Sequence, residues 1–228
     1  MKNLLHCLYL LMGAIVIAQE TELKSIEQLR GPSYISFDLT TPFNFGTPRY
    51  RFGYIQGFKG PWKASLDVSY GSENTSITKF WDIDSENYEL VEIRAEAYYI
   101  FKATLSVEHY LATELFYIDH TETFIANYYY PEANPDMILR YDRADYRRQK
   151  YGIHIKYGAL ISFAKYFGVN LYYGIGIRTR DTNFNNLLNP RVDSDPQNEF
   201  QFFDSLYRNQ GNNVGLSMTL GVKFLYKL

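Results

Sequence analysis

The sequence predicts an all-β fold: an eight-stranded antiparallel up-and-down transmembrane β-barrel. Three observations lead there. The chain divides into eight extended runs in which apolar and polar residues alternate, as in strands with one greasy face. The connections between runs alternate between tight and long, the sidedness of a barrel with turns on one side and loops on the other. Aromatics make up 18% of the chain, with 22 Tyr and 16 Phe, an excess that two membrane-interface girdles would absorb.

In chain order, residues 1–18 read as a secretory signal peptide. Lys2 is the positive start, Leu4 to Ile17 the apolar run, and Val16-Ile17-Ala18 the small-residue cleavage site before Gln19. The run is short for a membrane anchor, which takes roughly 20 residues, and His6 interrupts it. Cys7 is the sole cysteine and has no lipoprotein box around it. The mature chain is therefore expected to carry no thiol, disulfide or Cys-based metal site. Residues 19–30 read as a periplasmic N-terminal segment, either a short helix presenting Leu23, Ile26 and Leu29 or a disordered leader.

Residues 31–228 read as the outer-membrane barrel. The expected runs are Tyr34–Thr41, Arg49–Phe58, Trp62–Ser72, Tyr88–Phe101, Val107–Asp119, Lys150–Phe163, Phe167–Arg178 and Val214–Leu228. Tight turns join the second and third runs (Lys59-Gly60-Pro61), the fourth and fifth (Lys102 to Ser106), and the sixth and seventh (Ala164 to Tyr166). The last run carries the clearest signal. Val214, Leu216, Met218, Leu220, Val222 and Phe224 share one face, while Gly215, Ser217, Thr219, Gly221 and Lys223 share the other.

Alternation alone does not say which face points outward, and a soluble periplasmic barrel would use the same pattern. The apolar faces lack Asp, Glu, Lys and Arg in their central stretches, with Gln56 and His109 the main polar exceptions. A charge facing lipid at the midplane costs about 2–4 kcal/mol. An eight-stranded bore has room only for packed side chains, so glycines mixed with charges suit the lumen and large aliphatics would overpack it. The expected lumenal charge network comprises Asp38, Arg49, Arg51, Asp67, Glu92, Arg94, Glu96, Glu114, Lys156, Arg178 and Lys223. Buried charges persist when paired, so these are expected to form cross-strand salt bridges. Such a ladder is expected to plug and close the bore; the alternatives are a gated polar path or a catalytic carboxylate site.

The long connection after the fifth run places Tyr128, Tyr129, Tyr130, Arg140, Tyr141, Arg143 and Tyr146 as candidate outer-loop binding residues, because tyrosine and arginine dominate interaction hot spots. The alternative is an aromatic girdle with arginines paired to lipopolysaccharide phosphates or to Asp142 and Asp145. The last long loop, Thr182 to Asn213, carries Phe200, Phe202 and Phe203, suited to folding over the barrel mouth.

Net charge is -2, or -3 without Lys2, which gives no reason to expect nucleic-acid binding. No phosphate-binding glycine loop, zinc-type spacing or fixed-period repeat is present, and no cofactor is expected. A hydrolase or acyltransferase would use His with Ser and a carboxylate. The mature histidines are His109, near Ser106; His120, which follows Asp119 and precedes Glu122; and His154. None forms a specific sequence signature, so no catalytic residue is assigned. Asp119, His120 and Glu122 read either as a cation site or as a solvated rim.

The stretches PSYISFDLTTPFN, PRYRFGYIQGF, ELFYIDH, NYYYP, RYDRADYRRQKYGIHIKYG and FGVNLYYGIGIRTRD resemble outer-membrane β-barrel proteins of Bacteroidota that carry a domain of unknown function. The likeness runs from about Ser33 to Leu228 and implies a bacterial outer-membrane address without supplying a catalytic residue. The expected role is structural or surface interaction. Outer-membrane lipid and lipopolysaccharide would be neighbours, and an extracellular glycan or protein a candidate partner. The alternatives are a small-solute or lipid-handling barrel, including a lipid-modifying enzyme, and a sensor engaging a periplasmic partner through residues 19–30.

Overall fold

A computed structural model describes residues 31–44, 46–75, 85–193 and 205–228. The expected signal peptide, the segment 19–30 and the aromatics Phe200, Phe202 and Phe203 lie outside these residues. The strands are β1 (Tyr34–Asp38), β2 (Tyr50–Gly57), β3 (Trp62–Ser72), β4 (Ser85–Ala103), β5 (Val107–Tyr129), β6 (Leu139–Ser162), β7 (Phe167–Leu188), β8 (Arg191–Val192) and β9 (Gly211–Lys227). Eight of them close into an antiparallel ring, in which β9 pairs with both β1 and β7, and β4 and β6 flank β5. The two-residue β8 only extends the outer end of β6.

Following paired residues around the ring from Phe37 leads through Phe52, Val68, Ile93, Tyr117, Tyr151 and Thr179 to Val214. Phe37 itself pairs with Phe224, so one circuit climbs ten residues along the strands. That stagger tilts the strands by roughly 35–45° and leaves a bore that side chains fill.

Burial alternates along the strands, most regularly in β3 and β4. The outward positions, such as Leu66, Val68, Ile93, Leu115, Ile155 and Ile175, are exposed and apolar, while the inward positions carry the charges. Aromatic pairs rim the belt near the tight turns. Trp62 meets Tyr99 edge-on at 5.0 Å, and Tyr166 stacks on Tyr226 at 6.3 Å. His109 faces outward in this rim, with Nδ1 2.9 Å from the Tyr157 hydroxyl, so its polar atom has a partner at the interface. An apolar belt bounded by aromatic rings is the exterior of a transmembrane barrel.

Two strand ends differ from the sequence expectation. First, β5, β6 and β7 continue about ten residues past the belt, through segments expected to be loop. Their outward residues there are mostly polar, which reads as loop, but inward aromatics sustain the ladder. Phe124, Tyr129, Tyr141, Tyr146 and Phe184 form one buried cluster, with Tyr207 of the helical turn Ser205–Arg208 packed against it. Second, β1 stops at Asp38 rather than Thr41. The Asp38 carboxylate accepts hydrogen bonds from the Thr40 amide (2.9 Å), the Thr40 hydroxyl (2.6 Å) and the Thr41 amide (3.2 Å). It thereby turns the chain into the 3-10 turn Thr41–Phe43, where Pro42 has no N–H to offer a ladder.

The early end of β1 opens the wall. The last backbone bond on that side of β9 runs from the Leu39 amide to the Val222 carbonyl, at 2.8 Å. Among the described residues, no strand pairs with that edge of β9 from Asn212 to Gly221. Exposure follows: Leu216, Met218 and Leu220 are 85%, 83% and 79% exposed, against 44% for Leu171 on the fully paired β7.

Candidate functional site

The bore is layered. Toward the tight turns, Tyr34, Ile55, Tyr98, Tyr110, Tyr172 and Leu225 pack together. The Tyr110 hydroxyl donates to Asn170 at 2.8 Å, and Ser65 and Tyr98 hydroxyls lie 3.2 Å apart, so the buried Tyr98 and Tyr110 rings keep their polar tips satisfied.

Above this floor runs a continuous set of ion pairs. Asp38 pairs with Arg51 (2.8 Å), and Arg51 with Glu92 (2.9 Å). Glu92 also receives Arg49 and Arg94, each at 2.6 Å. Arg94 continues to Glu114, which bonds Lys156 at 2.9 Å. Lys156 reaches Glu96 at 2.8 Å, Glu96 reaches Lys223 at 2.9 Å, and Lys223 ends on Asp67. Five cations thus meet five carboxylates, which offsets the desolvation that any one buried charge would suffer. Alternation supplies this set: every member but Arg49, which immediately precedes β2, occupies an inward strand position, and Gly53 leaves the space that the Asp67 carboxylate fills.

Arg178 departs from the expectation. It is half-buried and stays out of the ladder, its Nε donating to the Leu216 carbonyl at 3.3 Å. Its place on β7 lies opposite Gly152 and Gly215, above the ion pairs and beside the open edge of β9. Sequence reasoning also left His154 outside the site. Its Nδ1 lies 2.8 Å from Glu114 and its Nε2 2.8 Å from the Ser217 hydroxyl, and its ring stacks on Phe116 at 4.7 Å.

Beyond the belt, the candidate binding residues fall differently from expectation. Tyr129, Tyr141 and Tyr146 are buried because the continuing strands turn them into the aromatic cluster, and Tyr128 is buried beneath the guanidinium groups of Arg140 and Arg208. Tyr130 is half-buried, and Arg140 pairs with Asp193 at 2.7 Å. Arg143 alone of the seven is exposed, 3.8 Å from Glu86. Asp119 and His120 point to opposite faces, so they do not join Glu122 in one cation site. Outside, Arg147 lies 2.7 Å from Asp119 and holds its carboxyl below the usual range. Inside, His120 accepts from Arg148 at 3.2 Å and lies 3.2 Å from Glu122, off hydrogen-bond angle. Burial pushes the His120 imidazole down to about 4, against the opposing pull of Glu122. Among the described residues, no cluster of His, Cys, Asp and Glu is placed to hold a metal ion.

No protein-family model matches the chain, and no curated protein matches it. The chain is similar to the crystal structure of a major outer membrane protein from Thermus thermophilus, at 11% identity and a TM-score of 0.44, over 86% of this chain and 98% of that one. The barrel assignment rests on the closed strand register and the apolar exterior.

Proposed function

We propose that the protein is an integral protein of the bacterial outer membrane that is closed along its axis and acts from its extracellular half. The observation that carries this reading is the ion-pair ladder, which crosses the bore from Asp38 to Lys223 with its side chains almost wholly buried. An eight-stranded bore filled in this way has no room for a water column. The tall β5–β6–β7 wall beyond the belt, with β8 at the outer end of β6, presents Arg143, Arg147 and Arg191 with Asp119 and Asp142. This mixed-charge face suits lipopolysaccharide headgroups and an extracellular glycan or protein. Planar-bilayer recording tests the closed axis. The reading expects no stable single-channel steps from the folded protein, and large, reproducible steps would overturn it.

The edge of β9 that no strand pairs with among the described residues favours a second reading, a lipid-handling barrel. Unsatisfied backbone groups facing hydrocarbon are costly, so an edge at belt height calls for a polar occupant. A lipid entering sideways from the outer leaflet brings its headgroup and ester groups to that edge.

A further inference from the structure

We propose that Ser217, His154 and Glu114 form an acyl-ester hydrolase site served by the opening beside β9, with an O-acyl ester of an outer-leaflet lipid as substrate. This rests on the lipid-handling reading and adds a reaction to it. The three residues share one row of the barrel: Glu114 pairs with His154, His154 with Gly176, and Gly176 with Ser217. Gly176 has no side chain, so the imidazole spans β7 and meets the Ser217 hydroxyl at 2.8 Å. On its other side Glu114 Oε1 lies 2.8 Å from Nδ1. Glu114 also bonds Arg94 and Lys156, and its Oε1 accepts a hydrogen bond from Nδ1–H. That leaves Nε2 as the acceptor for the serine hydroxyl, the arrangement by which a serine nucleophile is activated. Stacking on Phe116 fixes the ring plane.

Access distinguishes this row from the sealed ladder below it. Ser217 is partly exposed although it faces inward, as are Gly215 and Thr219. Both N–H and C=O of an antiparallel strand residue point toward the same neighbour. The Val222 carbonyl points toward β1, so by the two-residue period the Met218 amide faces the open side, next to the nucleophile, where a carbonyl oxygen would sit. Lys150 and Arg178 occupy inward positions on the rows above Ser217, suited to an anionic headgroup phosphate.

In the reaction, Ser217 Oγ attacks the ester carbonyl carbon as its proton passes to His154 Nε2. The bond from that carbon to the alkyl oxygen breaks, and the leaving alkoxide takes the proton from His154. Water then attacks the acyl-serine, giving its proton to His154 and releasing the fatty acid as Ser217 recovers its hydrogen. Ser217 and His154 are the catalytic residues, and Glu114 is a positioning residue.

The test uses folded full-length protein in detergent–lipid micelles, with a fluorophosphonate probe and two lipids, phosphatidylglycerol and lipid A. Expected are one probe adduct mapped to Ser217 by peptide mass spectrometry and fatty-acid release from at least one lipid, the responding lipid identifying the source. Ser217→Ala should abolish the adduct and lower release by about 10³-fold or more, while keeping the gel shift of an intact barrel. His154→Gln should lower probe labelling as well. An adduct elsewhere, release that survives Ser217→Ala, or no release from either lipid overturns the proposal. Lipid that co-purifies with an inactive protein would leave lipid handling standing, whereas neither binding nor release would remove both readings.

Discussion

Lys223→Met gives the sharpest test of the ion-pair ladder. The lysine ammonium is buried between Glu96 and Asp67. Glu96 keeps Lys156 when Lys223 is removed, but Asp67 loses its salt-bridge partner while remaining buried. Removing one member of a buried pair costs about 3–5 kcal/mol, mostly from the charge left behind. Lys223→Met should therefore lower unfolding free energy by that amount. Adding Asp67→Asn should recover about half of it, about 1.5–2.5 kcal/mol, a non-additivity that marks the pair as coupled. Urea unfolding of the protein in lipid vesicles, followed by tryptophan fluorescence, measures all four states of the cycle. If Lys223→Met and Asp67→Asn each stay within about 0.5 kcal/mol of the parent, the ladder does not hold the bore as described.

The extension of β5, β6 and β7 beyond the belt should weaken in acid. His120 faces Glu122, Arg148, Tyr88 and Tyr146, and its buried imidazole is held down to about 4. The unfolded chain, near about 6.5, binds the proton more readily. The histidine's contribution is thus fully present above that pH and lost as pH falls toward 4, by up to about 3 kcal/mol. Protease susceptibility of the β5–β6 tip at pH 7 and pH 5 should show this, and His120→Gln should flatten the difference. Gly176→Ala should destabilise the barrel by about 1–3 kcal/mol, because its Cβ would lie 1.8 Å from the Ile153 carbonyl oxygen; the urea midpoint reads it directly. Phe184→Ala removes a ring stacked on Tyr129 at 4.5 Å and should cost the extension about 3–5 kcal/mol. It should admit protease to β7 beyond Thr179 while the belt stays resistant.

How much of this was legible in sequence depends on the kind of information each feature needs. β3 is read with the same limits, Trp62–Ser72, because period-two alternation and the Lys59-Gly60-Pro61 turn bound it. Most ladder residues were also legible, since a charge at an inward position has nowhere to go except a partner. The outer halves of β5 and β6 were not, because their outward residues are mostly polar beyond the belt and only the inward Tyr141 and Tyr146 betray the strand. The end of β1 carried a signal in Asp38-Leu39-Thr40-Thr41-Pro42, an Asp-capped turn followed by proline, outweighed by the apolar pattern before it. Arg178 has the right parity for the ladder, but only the register shows that it sits above the ion pairs. The Glu114–His154–Ser217 row is invisible to spacing: its members lie on three strands, separated by 40 and 63 residues, and only pairing across Gly176 brings them together.

Nitroxide labels on single cysteines placed at Leu171, Ile175 and Leu220 measure the orientation of the barrel wall most directly. With the protein in lipid vesicles, each label should be relaxed strongly by dissolved oxygen and weakly by a water-soluble nickel chelate, as expected for side chains in hydrocarbon. Strong relaxation by the nickel chelate at all three positions would place the apolar face in water and contradict the membrane barrel.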